Sequence, residues 1–587
     1  MSTLPFGTTT YVVCGIIGAL CYLIYRATIP TPFAGIPYDK SYVKPFGHAG
    51  DQIAWVKKNE TVFDWMALQG RRLQSPIYQL FLMPFSKPTL VITDPRECQD
   101  ILLRRAKEFD RSTWFTDLFL GTIPDHHIVQ QTNDRFRAQR RLLADTMTTG
   151  FLHNVAAQHL HEQTVNLISL WRTKSRLASN HAFPIQDDIN EMALDSIWAV
   201  AFGTEIDTVK TQDTFLQSKP TIPVPNSPSC PIDFPKPPLP AAFHSIMYLS
   251  DSILYAIRSP HPRLGHWWFR QSSAFKAAKS HKDKLIAERL ADAKSRLLNS
   301  TATDAMIRCA TDNMVRREQQ AAEKEGRAPT YDSPAAKDEL FGFLIGGHDT
   351  TSSTVMWGVK FLTDYAEVQA KLRAALRAAY PAEAKSGAVP SAEAICRTNV
   401  PYLDATIEEM LRMGMTAPGA SRKAMVDTEV LGYRVPKGTD VFLLSNGSGF
   451  VEEDVYAKGI EEGKRSRSSR EAKGRVGTWD AEDVGRFVPE RWIKRDEKGN
   501  EEFYSRAGPM MTFGGGIRGC FGKRLAYLEM RILFTIMVWE LELQKAPESL
   551  SGYGATDNLT HKPKQCYLRP VALGAQGRKD SATEAEA

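Results

Sequence analysis

The stretch FGGGIRGCFG, Phe513–Gly522, admits two readings that exclude each other. Gly514, Gly516 and Gly519 match the G-x-G-x-x-G pattern that cradles a dinucleotide pyrophosphate, yet Cys520 follows directly. A dinucleotide fold needs a strand before the glycines, a helix after them, an acidic residue about 20 positions on, and further β-α units. A helix is predicted, because Leu525, Leu528, Ile532, Ile536 and Trp539 recur every three or four residues, and Glu540 offers the acid. Too few residues follow for the remaining units, and Arg518 and Cys520 are left without a role.

The second reading uses every fixed position. A cysteine on a glycine-rich turn, with a helix starting just after it, sits where backbone N–H groups and the helix dipole favour negative sulfur. Such a sulfur ligates a metal. Glycines at 514, 515, 516, 519 and 522 let the backbone turn tightly and approach a flat ligand, and Arg518 can pair with a carboxylate of that ligand.

The rest of the chain narrows the context. Its 587 residues are 43% hydrophobic and 24% charged, with a formal net charge of +6. Lys and Arg are interspersed with Asp and Glu, which argues against a nucleic-acid partner. Eight cysteines show neither C-x-x-C pairs nor disulfide density, as expected of a reduced, intracellular protein. Residues Thr8–Tyr25, TTTYVVCGIIGALCYLIY, carry no charge and are about as long as a bilayer-spanning helix must be. No Lys or Arg precedes them, while Arg26, Lys40 and Lys44 follow, so residues 1–29 are expected to anchor the chain with its bulk in the cytosol. A proline-stiffened connector, 30–50, should separate the anchor from a catalytic domain spanning 51–573.

Pro76–Pro95 reads as a hairpin around Ser-Lys-Pro, and strand-like pieces return in 427–444. Between them, helical periods dominate at 96–108, 131–146, 155–172, 186–203, 275–297, 337–380 and 401–413. The expected fold class is therefore mainly α with small β-sheets. Nine prolines between Pro220 and Pro240 leave only a loop or lid there. Residues 458–477, charged and poor in apolar side chains, read as a solvated insertion, and the tail 574–587 as disordered. His126-His127 invites a metal reading, which adjacent histidines, rarely sharing one ion, do not favour.

Phe513, Gly516, Arg518, Cys520 and Gly522 reproduce F-x-x-G-x-R-x-C-x-G, and in this the chain resembles the cytochrome P450 family. GGHDTT, Gly346–Thr351, resembles the family's oxygen-binding motif on the helix that crosses the haem. A Gly-Gly pair mid-helix costs about 1 kcal/mol per residue relative to alanine, so it needs a reason, and room for dioxygen is one. The resemblance implies Cys520 as axial ligand of the haem iron, and Asp349 and Thr350 as the acid and hydroxyl that deliver protons. It further implies Phe513, Gly516, Arg518 and Gly522, with Arg140 and Arg422, as haem-binding residues. Glu409, Arg412 and Arg491, from EEMLR and FVPERW, resemble the family's bracing triad. The chain departs from the pattern at Phe136, where the family usually has tryptophan, and the indole N–H to a haem propionate is lost.

The implied enzyme is a haem-thiolate monooxygenase using haem b and O2, with electrons from NADPH through a separate cytochrome P450 reductase and cytochrome b5 as a further donor. Arg518, Lys523 and Arg524 would face that acidic partner. The implied location is the endoplasmic reticulum membrane, single-pass. Trp114, Phe115, Phe119 and Leu120 on a 112–122 loop, with TAPGA, 416–420, are expected to line a pocket for a lipophilic small molecule. The alternatives are a peroxide-using isomerase or dehydratase, and a monooxygenase that detoxifies xenobiotics or lipids.

Overall fold

A computed structural model describes residues 8–227, 229–259, 261–298, 307–456 and 459–574. The tail expected to be disordered lies outside them, save Gly574. The chain divides into two compact units: residues 1–112 with 418–475, and 113–417 with 476–587.

The first unit begins with the helix Thr8–Thr28, whose apolar side chains, Tyr11 to Tyr25, stand exposed along its length. Tyr11–Thr28 is long and apolar enough to cross a membrane. The connector is not a free linker. Ile36 is buried, and the Gln79 amide donates to the carbonyls of Phe33 and Ile36 at 3.0 and 2.9 Å while accepting from Phe33 N at 2.8 Å. A glutamine buried in a strand must satisfy its amide, and here the connector's backbone does so.

The hairpin Ile77–Leu80 and Thr89–Ile92 forms as expected and enters a five-stranded sheet. Asp440–Leu444 runs parallel to Thr89–Ile92, followed by Gly419–Ala424 and the edge strand Phe109–Arg111. Trp65, Met66, Tyr78, Leu80, Val91 and Leu444 fill a core on this sheet.

The charged segment 458–477 corrects its sequence reading. Arg465 is buried, and its guanidinium meets both oxygens of Asp94 at 2.7 and 2.8 Å and Glu97 at 3.3 Å. Ser466 and Ser468 donate to Asp100 at 2.6 and 2.9 Å, and Arg96 grips Glu462 through two nitrogens. Asp94 is also the N-cap of the helix Pro95–Leu103. The low apolar content signalled solvation correctly for Lys464, Arg467 and Lys473, but one cation, Arg465, turns inward as counterion to two carboxylates.

The second unit is helical. Its spine is Pro334–Asp364, 31 residues, packed along Gln186–Phe202. Gly347 allows this approach, since a Cβ there would strike Ile197; at Gly358 a Cβ would meet the Phe534 ring and Met410 sulfur. Phe534 belongs to the helix Lys523–Glu540, buried along most of its length. Small sheets close the unit, among them the hairpin Ala555–Asp557 and His561–Pro563. The proline-rich segment has no regular structure, as expected, but it is pinned rather than loose. Ile232 is buried with its N–H on the Ala182 carbonyl, Phe234 packs edge-on to Phe183, and Lys236 pairs with Asp187.

Candidate active site

The turn that decided the fold is built as a thiol holder. Gly514 and Gly516 adopt positive φ, +61° and +63°, which glycine tolerates without steric cost. Gly522 does not need that freedom; the space a Cβ would fill there is open. Cys520 N–H donates to the Phe513 carbonyl at 2.8 Å, folding the turn back so that the thiol is exposed. The helix Lys523–Glu540 starts three residues later. Burial pushes the Cys520 pKa up, against the backbone N–H groups of Gly522 and Lys523 and the cations of Arg140 and Lys523, which draw it down. A bound metal ion would deprotonate the thiol outright.

The helix Pro334–Asp364 supplies a second feature within the same unit. It is buried over most of its length, but Gly346 and Thr350, one turn apart on one face, are exposed. Nothing lies within 4 Å of where a Gly346 Cβ would sit. Thr350 Oγ1 donates to the Gly346 carbonyl at 2.6 Å within the continuous helix. Thr351, on the next position, donates to Glu529 of the helix that follows Cys520, at 3.2 Å, tying the two elements together. An exposed sulfur, a glycine-lined gap and flanking cations are what an iron porphyrin with carboxylate tails needs, so these residues fit haem.

Asp349, expected as a proton-delivering acid, is held by the C-terminal hairpin. Its carboxylate pairs with Lys562 and accepts from Thr560 at 2.9 Å, both from the C-terminal hairpin. Burial raises its pKa, but the charges of Lys562 and His348 and the hydrogen bonds from Lys562 and Thr560 outweigh it, so the group stays below its ordinary value. In this geometry Asp349 is a carboxylate clamped between Lys562 and Thr560. Sequence gave no sign of its partners, which lie more than 200 positions away.

Arg140 and Arg518 converge on the cysteine turn. Arg140 donates to the carbonyls of Ile517 and Gly519 at 2.7 and 3.3 Å; Arg518 donates to Gln130 O and lies 4.0 Å over the Phe136 ring. Phe136, buried, is thus a platform for guanidinium groups even without an indole. Arg518 is too buried to form partner-facing surface, whereas Lys523 and Arg524 are exposed. Arg422, expected beside them, lies buried on Gly419–Ala424 of the first unit. The pocket's 112–122 segment is not a loop: Thr113–Phe119 is helical, with Phe119 in the core and Trp114 at the surface.

The triad forms around Glu409. Arg412 donates to both its oxygens at 2.9 and 2.7 Å, Arg491 at 3.1 Å, Val488 N–H at 2.9 Å and the Trp492 indole at 2.9 Å. Trp492, Trp479 beneath both guanidinium groups, and Asp483 on Arg491 escaped the sequence reading, although Trp492 stands next to Arg491 in FVPERW. His126 and His127 also find a partner, the buried Glu339 carboxylate, at 3.4 and 2.7 Å. These are hydrogen-bond separations between ring nitrogens and a carboxylate.

Comparison with known proteins agrees with this geometry. The profile of the family described as Cytochrome P450 matches residues 53–449 and 482–559, skipping the segment around Arg465. The chain is 36% identical to Cytochrome P450 monooxygenase GME11363 of Pestalotiopsis microspora, over 96% of this chain and 99% of the relative. It is 34% identical to Cytochrome P450 monooxygenase TRI13 of Fusarium sporotrichioides, over 93% and 96%. Hps1-dma1 cluster cytochrome P450 monooxygenase cyp3.1 of Dothistroma septosporum matches at 38% over 49% of this chain and 95% of its own length. In fold, the cytochrome P450DA heme domain superposes with TM-score 0.65 at 16% identity, covering 94% of this chain and all of that one. With the thiol-bearing turn and the gapped helix in place, these matches along nearly its whole length show that the chain belongs to the cytochrome P450 family and is an enzyme of its monooxygenase class.

Proposed function

We propose that this enzyme inserts one oxygen atom of O2 into a lipophilic small molecule, by hydroxylation or epoxidation, in specialised metabolism. The observation that carries this reading is the exposed Gly346–Thr350 window on an otherwise buried helix, in the same unit as the exposed Cys520 thiol. Haem b, when bound, supplies the oxygen activation and C–H oxidation that no side chain performs. Cys520 would ligate its iron, Phe513, Gly516 and Gly522 would shape the turn that receives it, and Arg140, Arg518 and Arg422 would answer its carboxylates. Thr350 holds a proton-bearing hydroxyl at the gap, and Asp349 relays protons to it once Lys562 lets go. Electrons come from NADPH through a separate flavoprotein reductase that docks on Lys523 and Arg524, with the chain anchored in the endoplasmic reticulum membrane by Thr8–Thr28. The relative whose printed name places it in a cluster supports a role in specialised metabolism.

The test is a pair of measurements on purified, haem-loaded protein. The ferrous carbon monoxide complex should show the strongly red-shifted Soret band of thiolate ligation, and Cys520→Ala should abolish it. Turnover should require both O2 and NADPH with reductase. Turnover that needs neither would move the enzyme to the peroxide-using isomerases.

A further inference from the structure

The chain leaves its apolar N-terminal helix and soon returns to the end of it. Phe46 N–H donates at 3.0 Å to the carbonyl of Thr28, the last residue of the helix Thr8–Thr28 and of the stretch long and apolar enough to cross a membrane. Phe46 is therefore placed at the exit of that helix.

Its backbone lies in the left-handed region, at φ +64°, where a bulky residue is strained. Such strain persists only where the surroundings impose it, and here they do. Gly47, left-handed as well at φ +53°, passes so close to Phe81 that a Cβ would overlap it. His48 N–H donates to the Phe81 carbonyl at 2.9 Å, and Phe81 N–H donates to His48 Nδ1 at 3.0 Å. The buried His48 ring stacks on Tyr42, 3.8 Å centre to centre, and Tyr42 donates to Asp51 of the helix Ala49–Asn59 at 2.8 Å. The turn is thus fixed to the end of the strand Ile77–Leu80.

What this fixed turn displays is an apolar ring. Phe46 is 53% exposed, Val43 and Ile53 are exposed on either side of it in the chain, and no residue of Ala49–Asn59 is buried. Lys44, Lys57 and Lys58 stand exposed among them. In water, glycine or asparagine would occupy this backbone conformation at lower cost, and phenylalanine gains only where its ring leaves water. Beside the end of a spanning helix, the acyl boundary takes apolar side chains while lysines reach the phosphates.

We propose that Phe46, with Val43 and Ile53, is a membrane foot: the turn presses into the boundary between headgroups and acyl chains at the exit of Thr8–Thr28 and holds the first unit against the bilayer. The inference rests on Thr8–Thr28 spanning that bilayer.

The experiment uses the full chain, haem-loaded, in nanodiscs of phosphatidylcholine and phosphatidylserine. The photoreactive residue p-benzoylphenylalanine replaces, in turn, Phe46, Ile17 within the helix, and Leu103, which is 51% exposed elsewhere in the same unit. After irradiation, mass spectrometry should find roughly tenfold more lipid adduct at position 46 than at 103. Adduct at 46 no greater than at 103, with position 17 labelled, overturns the proposal, and cross-linking of 46 to a second protein chain overturns it in favour of a protein contact. No lipid adduct at position 17 strikes the spanning helix itself, a failure distinguishable from the others. A second arm uses Phe46→Gly, which removes the ring and relieves the backbone. Amide hydrogen exchange across 49–59 should quicken about three- to tenfold in nanodiscs, while the melting temperature holds or rises. Unchanged exchange overturns the proposal, and a fall in melting temperature does so by marking the ring as packing within the fold. Should the photoreactive variant at 46 yield no haem protein, this second arm decides.

Discussion

Two carboxylates in the second unit, the buried Glu409 and the half-buried Asp349, are treated in opposite ways. Glu409 collects five donors from Arg412, Arg491, Val488 and Trp492, and its arginines are in turn capped by Asp483 and the carbonyls of Val484 and Arg486. Asp349 has one lysine and one threonine, both on the short hairpin Ala555–Asp557 and His561–Pro563 or its turn. A charge held from several elements by a closed network cannot be released without unfolding. A charge held by one hairpin can be released when that hairpin shifts. The first arrangement holds several elements together, and the second leaves a carboxylate tied to a single hairpin.

The comparison breaks most visibly at Arg491. Arg491→Ala strips Glu409 of a buried guanidinium, with an expected loss of about 3–5 kcal/mol of stability. The outcome should be little or no haem-containing protein, read as the carbon monoxide band per milligram. Normal yield and melting temperature would place Glu409 in the same releasable category as Asp349.

Thr350→Ala tests the hairpin-held side. If its hydroxyl passes protons into the gap, product formation should fall roughly 10²- to 10⁴-fold, about 3–5 kcal/mol in the assisted step. NADPH consumption should continue and hydrogen peroxide accumulate. Measuring all three in one assay decides the matter, and equal coupling in variant and parent removes Thr350 from this role.

Lys562→Met should cost less than Arg491→Ala, about 1–3 kcal/mol, because the lysine is partly exposed. Its pH dependence sharpens the contrast. In the parent, Asp349 sits below its ordinary pKa of 3.8, so its contribution is present above that pH and is lost as pH falls through the lowered value. Without Lys562, burial dominates and the carboxyl moves up. The variant's deficit in melting temperature should then grow as pH rises from about 4 towards neutrality. A deficit independent of pH would show that Lys562 acts by packing alone.

Glu529 offers the smallest effect. Burial raises its pKa from 4.5 to about 8, with hydrogen bonds from Thr351 and Ser196 pulling the other way. The folded state therefore keeps a proton that the unfolded chain releases, and stability falls as pH rises between those two values. Glu529→Gln should flatten that slope and raise the melting temperature near pH 8, by thermal scans at several pH values. An unchanged slope would mean that Glu529 is already charged in the fold across that range.

What the sequence disclosed follows from distance along the chain. The cysteine turn is legible because five fixed positions fall within ten residues, and the amphipathic helices because their period is local. Glu409 with Arg412 is local too, at i, i+3. Lys562 on Asp349 and Arg465 on Asp94 are not, since no period or motif links residues hundreds of positions apart. Burial of a lone arginine in a charged run runs against composition, which averages over the segment and cannot single out Arg465. The helix Thr113–Phe119 was masked differently: its aromatic residues suit a pocket lining as well as a core face.

The Arg465 clasp also bears on how the gene can be edited. The segment skipped by the family profile carries the counterion of Asp94 and Glu97, while its serines serve Asp100. Excising 458–477 to shorten an expression clone would therefore strand acidic groups at the start of Pro95–Leu103, far away in the reading frame. A trimmed clone that folds should be one in which Asp94, Glu97 and Asp100 are neutralised in the same step, so insertion and recipient helix behave as a single heritable unit.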